Sequence, residues 1–200
     1  MSLQGHAVEC HTSHWLADHS QGRVNAAEHI IHIPAKAMNV TWGRDGRFWR
    51  WNELPKDEQP KDFSKDNLCD SVAELIQVNW LEVKGTLNLA KHKDALSNFK
   101  AFEIVYHIKF NIDAFGWSKA PVLFELVTPD GHREKRIEIM ESYRKRSCEW
   151  LEIHGGEFKL PQDMKGEVEF GISETESHWW KGGMIFAGAS IKPKMDDTQN

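Results

Sequence analysis

The chain has 200 residues, a formal net charge of −5 and three cysteines, Cys10, Cys69 and Cys148. That length suits one domain with a self-supporting hydrophobic core, and the acidic balance disfavours a protein whose main task is neutralising phosphate backbones. The cysteines are too few and too odd in number for a disulfide framework, and the chain carries neither an apolar leader nor a run as long as a membrane span, so cytoplasmic synthesis without membrane association is expected.

Residues 1–28 are histidine-rich and poor in large apolar side chains, which predicts a mobile N-terminal tail. Cys10, His11, His14 and His19 match no closed tetrahedral spacing, so neither a metal nor another cofactor is expected. A short apolar patch at 30–33, followed by Pro34, ties the tail to the domain edge. Residues 39–51, N-V-T-W-G-R-D-G-R-F-W-R-W, hold three of the nine tryptophans. They read as a strand end, a glycine turn and a second strand. Trp49 and Trp51 then share one face while Phe48 and Arg50 point away from it, and aromatic surface on both sides must be covered by core or by ligand. Asn39-Val40-Thr41 has the form of a glycosylation sequon and is read as structural.

The charged, proline-bearing segment 53–70 reads as a loop. Residues 72–89 form either a strand pair or one long bent strand, with Ala73-Glu74-Leu75 able to make a helical turn. Between 102 and 112, Phe102, Ile104, Tyr106, Ile108, Phe110 and Ile112 alternate with polar residues, the period of a half-buried strand with His107 facing solvent. Thr128-Pro129-Asp130-Gly131 is a hairpin turn, and further strands are expected over 150–153, 167–172 and 184–192. Basic runs at 133–136 and 144–146 read as solvated surface. Trp80 and Trp150 stand in apolar runs and read as core, and Trp117 is open between core and loop. Short strands with frequent turns and no convincing helix give an all-β fold, an antiparallel β-sandwich.

Sugars present flat apolar faces ringed by hydroxyls, so a sugar site needs an exposed aromatic platform beside fixed donors and acceptors. Trp42, Trp49 and Trp51 offer the platform, against core packing as the alternative. A second candidate runs from 174 to 183, where Glu174, His178, Trp180 and Lys181 stand in a polar loop before two glycines. A wet turn with one tucked tryptophan explains that stretch equally well. No carboxylate pair, G-x-S-x-G or phosphate-binding glycine loop marks an enzyme.

The spacing Trp42, Trp49, Trp51 after N-V-T resembles the opening motif of the Nictaba-related phloem protein 2 lectins. The likeness continues in family order through V-N-W-L-E-V-K-G (78–85), C-E-W-L-E-I with G-E-F (148–158), G-E-V-E-F (166–170) and W-K-G-G-M-I-F-A-G-A-S-I-K-P-K (180–194). It implies a jelly-roll-like domain over 37–194, flanked by the tail 1–36 and a C-terminal tail at 195–200. It also implies a non-enzymatic lectin for GlcNAc oligomers, chitin fragments or the N-glycan core. Trp42 and Trp49 match the two tryptophans with which the tobacco relative binds its sugar, Trp51 the next motif tryptophan, and Trp180-Lys181 the family's W-K. A homodimer, phloem sap as location and oxidative cross-linking to a filament partner through Cys10 or Cys69 are further implications. The alternative from the same family is an RNA-binding or filament-associated protein, which the acidic charge disfavours.

Overall fold

The computed structural model describes residues 13–19, 23–25, 28–64 and 71–194. Twelve strands carry the chain among these residues: β1 (Arg23–Asn25), β2 (Ile30–Pro34), β3 (Asn39–Val40), β4 (Trp49–Glu53), β5 (Ser71–Leu75), β6 (Leu81–Asn88), β7 (Ala101–Phe115), β8 (Pro121–Val127), β9 (Arg133–Ile139), β10 (Leu151–Lys159), β11 (Glu167–Glu174) and β12 (Gly182–Pro193). Strands β5 to β12 divide between two antiparallel sheets, ordered β5-β12-β7-β10 and β6-β11-β8-β9, with the chain changing sheet at every connection except the β8–β9 hairpin. That order is the eight-stranded jelly roll, two Greek keys folded onto each other. Strands β4, β2 and β1 extend the first sheet and β3 edges the second. Helix among the described residues is limited to single turns, α1 (Lys61–Ser64), α2 (Lys93–Leu96) and α3 (Glu141–Arg144), with two 3-10 turns. None of the described helices is long and apolar enough to cross a membrane.

The alternation of β7 sets the core. Phe102, Ile104, Tyr106, Ile108 and Phe110 point inward, and the Tyr106 ring meets Phe124, Phe170 and Phe186 from neighbouring strands. Ile112, expected inward, is 78% exposed. The register of β7 against β12 slips between Phe110 and Phe115, so the alternation does not reach the strand's end. His107, expected in solvent, is buried because the segment 55–64 lies over that outer face and drives Phe63 against its ring. The expected loop is therefore a cover, with Phe63 as its anchor. Residues 72–89 are two strands in opposite sheets, joined by a crossover at 76–80, and Ala73-Glu74-Leu75 is β5.

Ordered structure is also present before residue 37, where the domain boundary was expected. Strand β2 pairs with β12 from Pro34 against Gly188 to Ile31 against Ile191, which places Ile31 and Ile33 in the core. Trp15 bridges to Val40, and its indole Nε1 donates to the Lys36 carbonyl at 3.1 Å. Cys148, expected partly buried, is an exposed free thiol. It sits at φ 66° in the turn after α3, before β10 begins, where strand alternation has no hold on it. Cys10 and Cys69 lie outside the described residues, as do residues 195–200.

Candidate functional site

The β3–β4, β5–β6, β7–β8 and β11–β12 loops leave the same end of the sandwich, because Trp49 pairs with Leu75, Leu81 with Glu174, and Phe115 with Gly182. The β3–β4 loop is fixed first. Thr41 donates its hydroxyl to Glu82 at 3.0 Å and its amide to the Glu82 carbonyl, so the sequon threonine is structural as expected. Asp45 receives the Arg47 amide and guanidinium, and these bonds lower its pKa to about 2. The same Arg47 lies 5.3 Å from the Phe48 ring centre, a cation–π contact that covers one ring face.

The three motif tryptophans have three different environments. Trp42 sits at φ 63°, 36% exposed, between His14 at 5.0 Å and Phe48 at 5.8 Å. Trp49, expected as a stacking platform, is 2% exposed and donates Nε1 to the Thr41 carbonyl at 3.0 Å. It is a core residue, because strand β4 turns its 49/51 face inward. Trp51 is half-buried beneath Trp15, with ring centres 4.6 Å apart, and its Nε1 bonds the Gly43 carbonyl. Gly43 permits this stack, since a Cβ there would stand 2.6 Å from that of Trp15.

The β11–β12 loop places two more of the expected site residues in the interior. Lys181 and Glu174, expected to meet ligand, are 0% and 2% exposed and form an ion pair at 2.5 Å. Lys181 also donates to the Asn79 carbonyl at 3.0 Å, and Glu174 accepts the Ser177 amide at 2.8 Å. The pair thus ties the β5–β6 and β11–β12 loops together from below. Above it the indoles face solvent: Trp80 is 49%, Trp179 52% and Trp180 48% exposed, with His178 exposed beside them. Lys119 lies 4.4 Å from the Trp179 ring centre. Gly116, at φ +84°, lets the Trp180 carbonyl approach where any side chain would collide.

Trp80, expected in the core, is on the surface because it falls in the crossover rather than in a strand. Trp117 resolves as core, donating Nε1 to the Gly182 carbonyl at 2.8 Å. Trp150 is half-buried and bonds the Glu58 carbonyl instead of filling the sandwich. The sequence reading missed Trp15, His14, Phe48 and Trp179 as neighbours of the candidate site. A tryptophan beside Leu16 in an otherwise polar segment was the available signal for the first.

A buried polar strip lies elsewhere, on the outer face of the first sheet. Ser190 Oγ stands 3.0 Å from His32 Nδ1 and 2.7 Å from His107 Nε2. Asp62, His107 and Glu152 hold ligand-type atoms within 4.8 Å of one another. Ser190 is sealed at 0% exposure, which denies a nucleophile its substrate, and Lys192 already bonds Asp62 at 2.7 Å and Glu152 at 2.8 Å. The ammonium fills the cationic place among those carboxylates, and the strip reads as a fastening for α1.

A family model described as phloem protein 2 matches residues 28–193. Protein PHLOEM PROTEIN 2-LIKE A1 of Arabidopsis thaliana is 28% identical over 166 residues, covering 80% of this chain and 60% of its own length. Protein PHLOEM PROTEIN 2-LIKE A2 of Arabidopsis thaliana is 36% identical over 124 residues, covering 62% of this chain and 60% of its own length. The chain therefore spans about 60% of the length of these two relatives. A protein named lectin from Luffa acutangula is 30% identical over 172 residues, covering 85% of this chain and 73% of its own.

Proposed function

Because the chain belongs to the phloem protein 2 family, we propose that it is a carbohydrate-binding lectin that recognises GlcNAc oligomers, as in chitin fragments or the N-glycan core. The observation that carries this reading is the set of solvent-facing indoles, Trp42, Trp80, Trp179 and Trp180, on loops that leave one end of the sandwich. Four exposed tryptophans are costly for a surface with no partner. Each offers a flat apolar face with an N–H at its edge, the combination a pyranose ring and its hydroxyls call for. Trp42 with Phe48 would hold one sugar unit, and Trp180 with Trp80 and Trp179 the next. His178 supplies a polar contact at the rim. Glu174 and Lys181 act from beneath as positioning residues, and no covalent chemistry is performed. A homodimer would present two such ends and gain by effective concentration. Phloem sap is the location the family supports.

Retention on a chitin column with chitotriose as competitor tests the reading. Trp42→Ala and Trp180→Ala should each weaken chitotriose binding by about tenfold, or roughly 1.4 kcal/mol, while the β-sheet circular dichroism is kept. Unchanged retention in both variants overturns it. The RNA-binding alternative meets a specific obstacle: Arg133, Lys135, Arg136, Arg144 and Arg146 each pair with a carboxylate of the same chain. Binding that falls steeply with salt would favour RNA, whereas stacking on a neutral sugar barely responds.

A further inference from the structure

We infer that His14 is a positioning residue of the aromatic end, and that the strap 13–19 which carries it is a latch on Trp42 that opens when the His14 imidazole takes up a proton. The consequence, weaker sugar binding in acid, rests on the lectin reading; the geometry of the latch does not.

Most of the strap is fastened by groups that do not titrate. The Arg44 amide donates to the Ser13 carbonyl at 3.0 Å, and Trp15 and Val40 exchange amide–carbonyl bonds, each 2.9 Å. Further along, the Ala17 amide meets Asn39 Oδ1 at 2.8 Å and the Asp18 amide the Lys36 carbonyl at 2.9 Å. One fastening differs in kind. The Trp42 amide donates to His14 Nδ1 at 3.0 Å, with the two rings 5.0 Å apart. A ring nitrogen accepts only while it carries no proton, and imidazole is the side chain that ordinarily changes charge between about pH 8 and 5.

That bond falls where the backbone most needs one. Trp42 stands at φ 63°, a left-handed conformation that a bulky side chain disfavours, so its surroundings must hold it there. From this backbone the indole projects beside Phe48, partly open to solvent. Once His14 is protonated, the Trp42 amide faces a donor instead of an acceptor. Little around it would retain the charged ring. On the β3–β4 loop Asp45 is paired with Arg47, and on β6 Glu82 is bound to Lys84 and Thr41. Arg44 and Lys36, whose backbones bond the strap, are like charges, and the strap's own Asp18 and His19 lie past the Asn39 fastening. Loss of the bond therefore frees the Trp42 backbone while the rest of the strap stays attached.

Two measurements on the full chain test this. In the first, without sugar, the Trp42 amide resonance is followed by nitrogen–proton NMR from about pH 8 to 5. It should titrate in the wild type and stay fixed in His14→Asn, whose Oδ1 lies as many bonds from the backbone as Nδ1 and accepts at every pH. In the second, chitotriose is titrated calorimetrically at both ends of that range. Wild type and His14→Asn should agree within about twofold at the alkaline end, and at the acid end the wild type should bind at least about fivefold more weakly. Any titration of His178 at the rim cancels from this comparison. His14→Leu, which offers no acceptor, should bind as weakly at the alkaline end as the wild type does in acid. A Trp42 amide that does not titrate in the wild type, or that titrates equally in His14→Asn, overturns the latch whatever the sugar does. So do equal acid-end affinities beside a titrating amide. If the amide behaves as stated and chitotriose binds at neither pH, the latch stands and the lectin reading falls.

Discussion

Trp49 and Trp42, seven residues apart, differ in accessibility by 2% against 36%, and the backbone decides which is which. Period-two reasoning rightly placed Trp49 and Trp51 on one face, and that face is the core. What the residues could not reveal was the left-handed backbone at Trp42, which turns its indole out of the strand direction, or Trp15 arriving from a distant segment to cover Trp51. Trp49→Ala should therefore act as a core deletion. Removing a buried indole costs about 3–5 kcal/mol, and the lost bond to the Thr41 carbonyl adds to this. Urea denaturation should show a midpoint far below that of Trp42→Ala or Trp180→Ala. Near-equal midpoints for the three variants would contradict the placement of Trp49.

Among the elements, the cover at 55–64 and the β11–β12 loop carry the clearest consequences. Neither was legible, because a charged segment with prolines gives no periodicity from which to place its one large anchor, Phe63. The W-K motif likewise does not say that its lysine turns inward. At Glu174 and Lys181 the buried pair predicts strong non-additivity. Losing one partner leaves an uncompensated buried charge and costs about 3–5 kcal/mol. Lys181→Met or Glu174→Leu alone should thus cost more than the two together in a double-mutant cycle of thermal unfolding, and simple additivity would deny the pairing. Under the cover, burial lowers the His107 pKa to about 3, with the Lys192 ammonium assisting and the Asp62 carboxylate opposing. A base whose folded pKa lies below its unfolded value near 6.5 binds protons more readily in the unfolded chain. Its stabilising neutral state is then intact above about pH 6.5 and is undermined as pH falls toward 3. At pH 5 this amounts to roughly 2 kcal/mol. His107→Gln should flatten the slope of stability between pH 6.5 and 4, and an unchanged slope would mean that other groups govern acid unfolding.

At the scale of the whole molecule, the alternation within strands identified an all-β sandwich, but pairing order is a property of contacts distant in sequence, and periodicity is silent about it. The jelly-roll expectation came from the family likeness, and the β5-β12-β7-β10 and β6-β11-β8-β9 orders agree with it. The candidate site is legible only in part for the same reason, since its indoles come from loops far apart in the chain and meet through strand register. The N-terminal segment is the sharpest case. Read as a tail, it supplies β2 to the first sheet, and just ahead of it Trp15 lies on Trp51 while His14 accepts the Trp42 amide at 3.0 Å. A chain starting at residue 13 should keep both contacts and bind chitotriose as the full chain does. A chain starting at residue 29 retains β2 but loses the Trp15 stack and the His14 contact. Uncovering an indole costs roughly 1.5–3 kcal/mol of burial, and Trp42 loses the group that fixes its backbone. The longer truncation should therefore unfold at lower urea and bind chitotriose more weakly. Should both truncations match the full chain in stability and affinity, residues 13–28 rest on the domain without supporting the site.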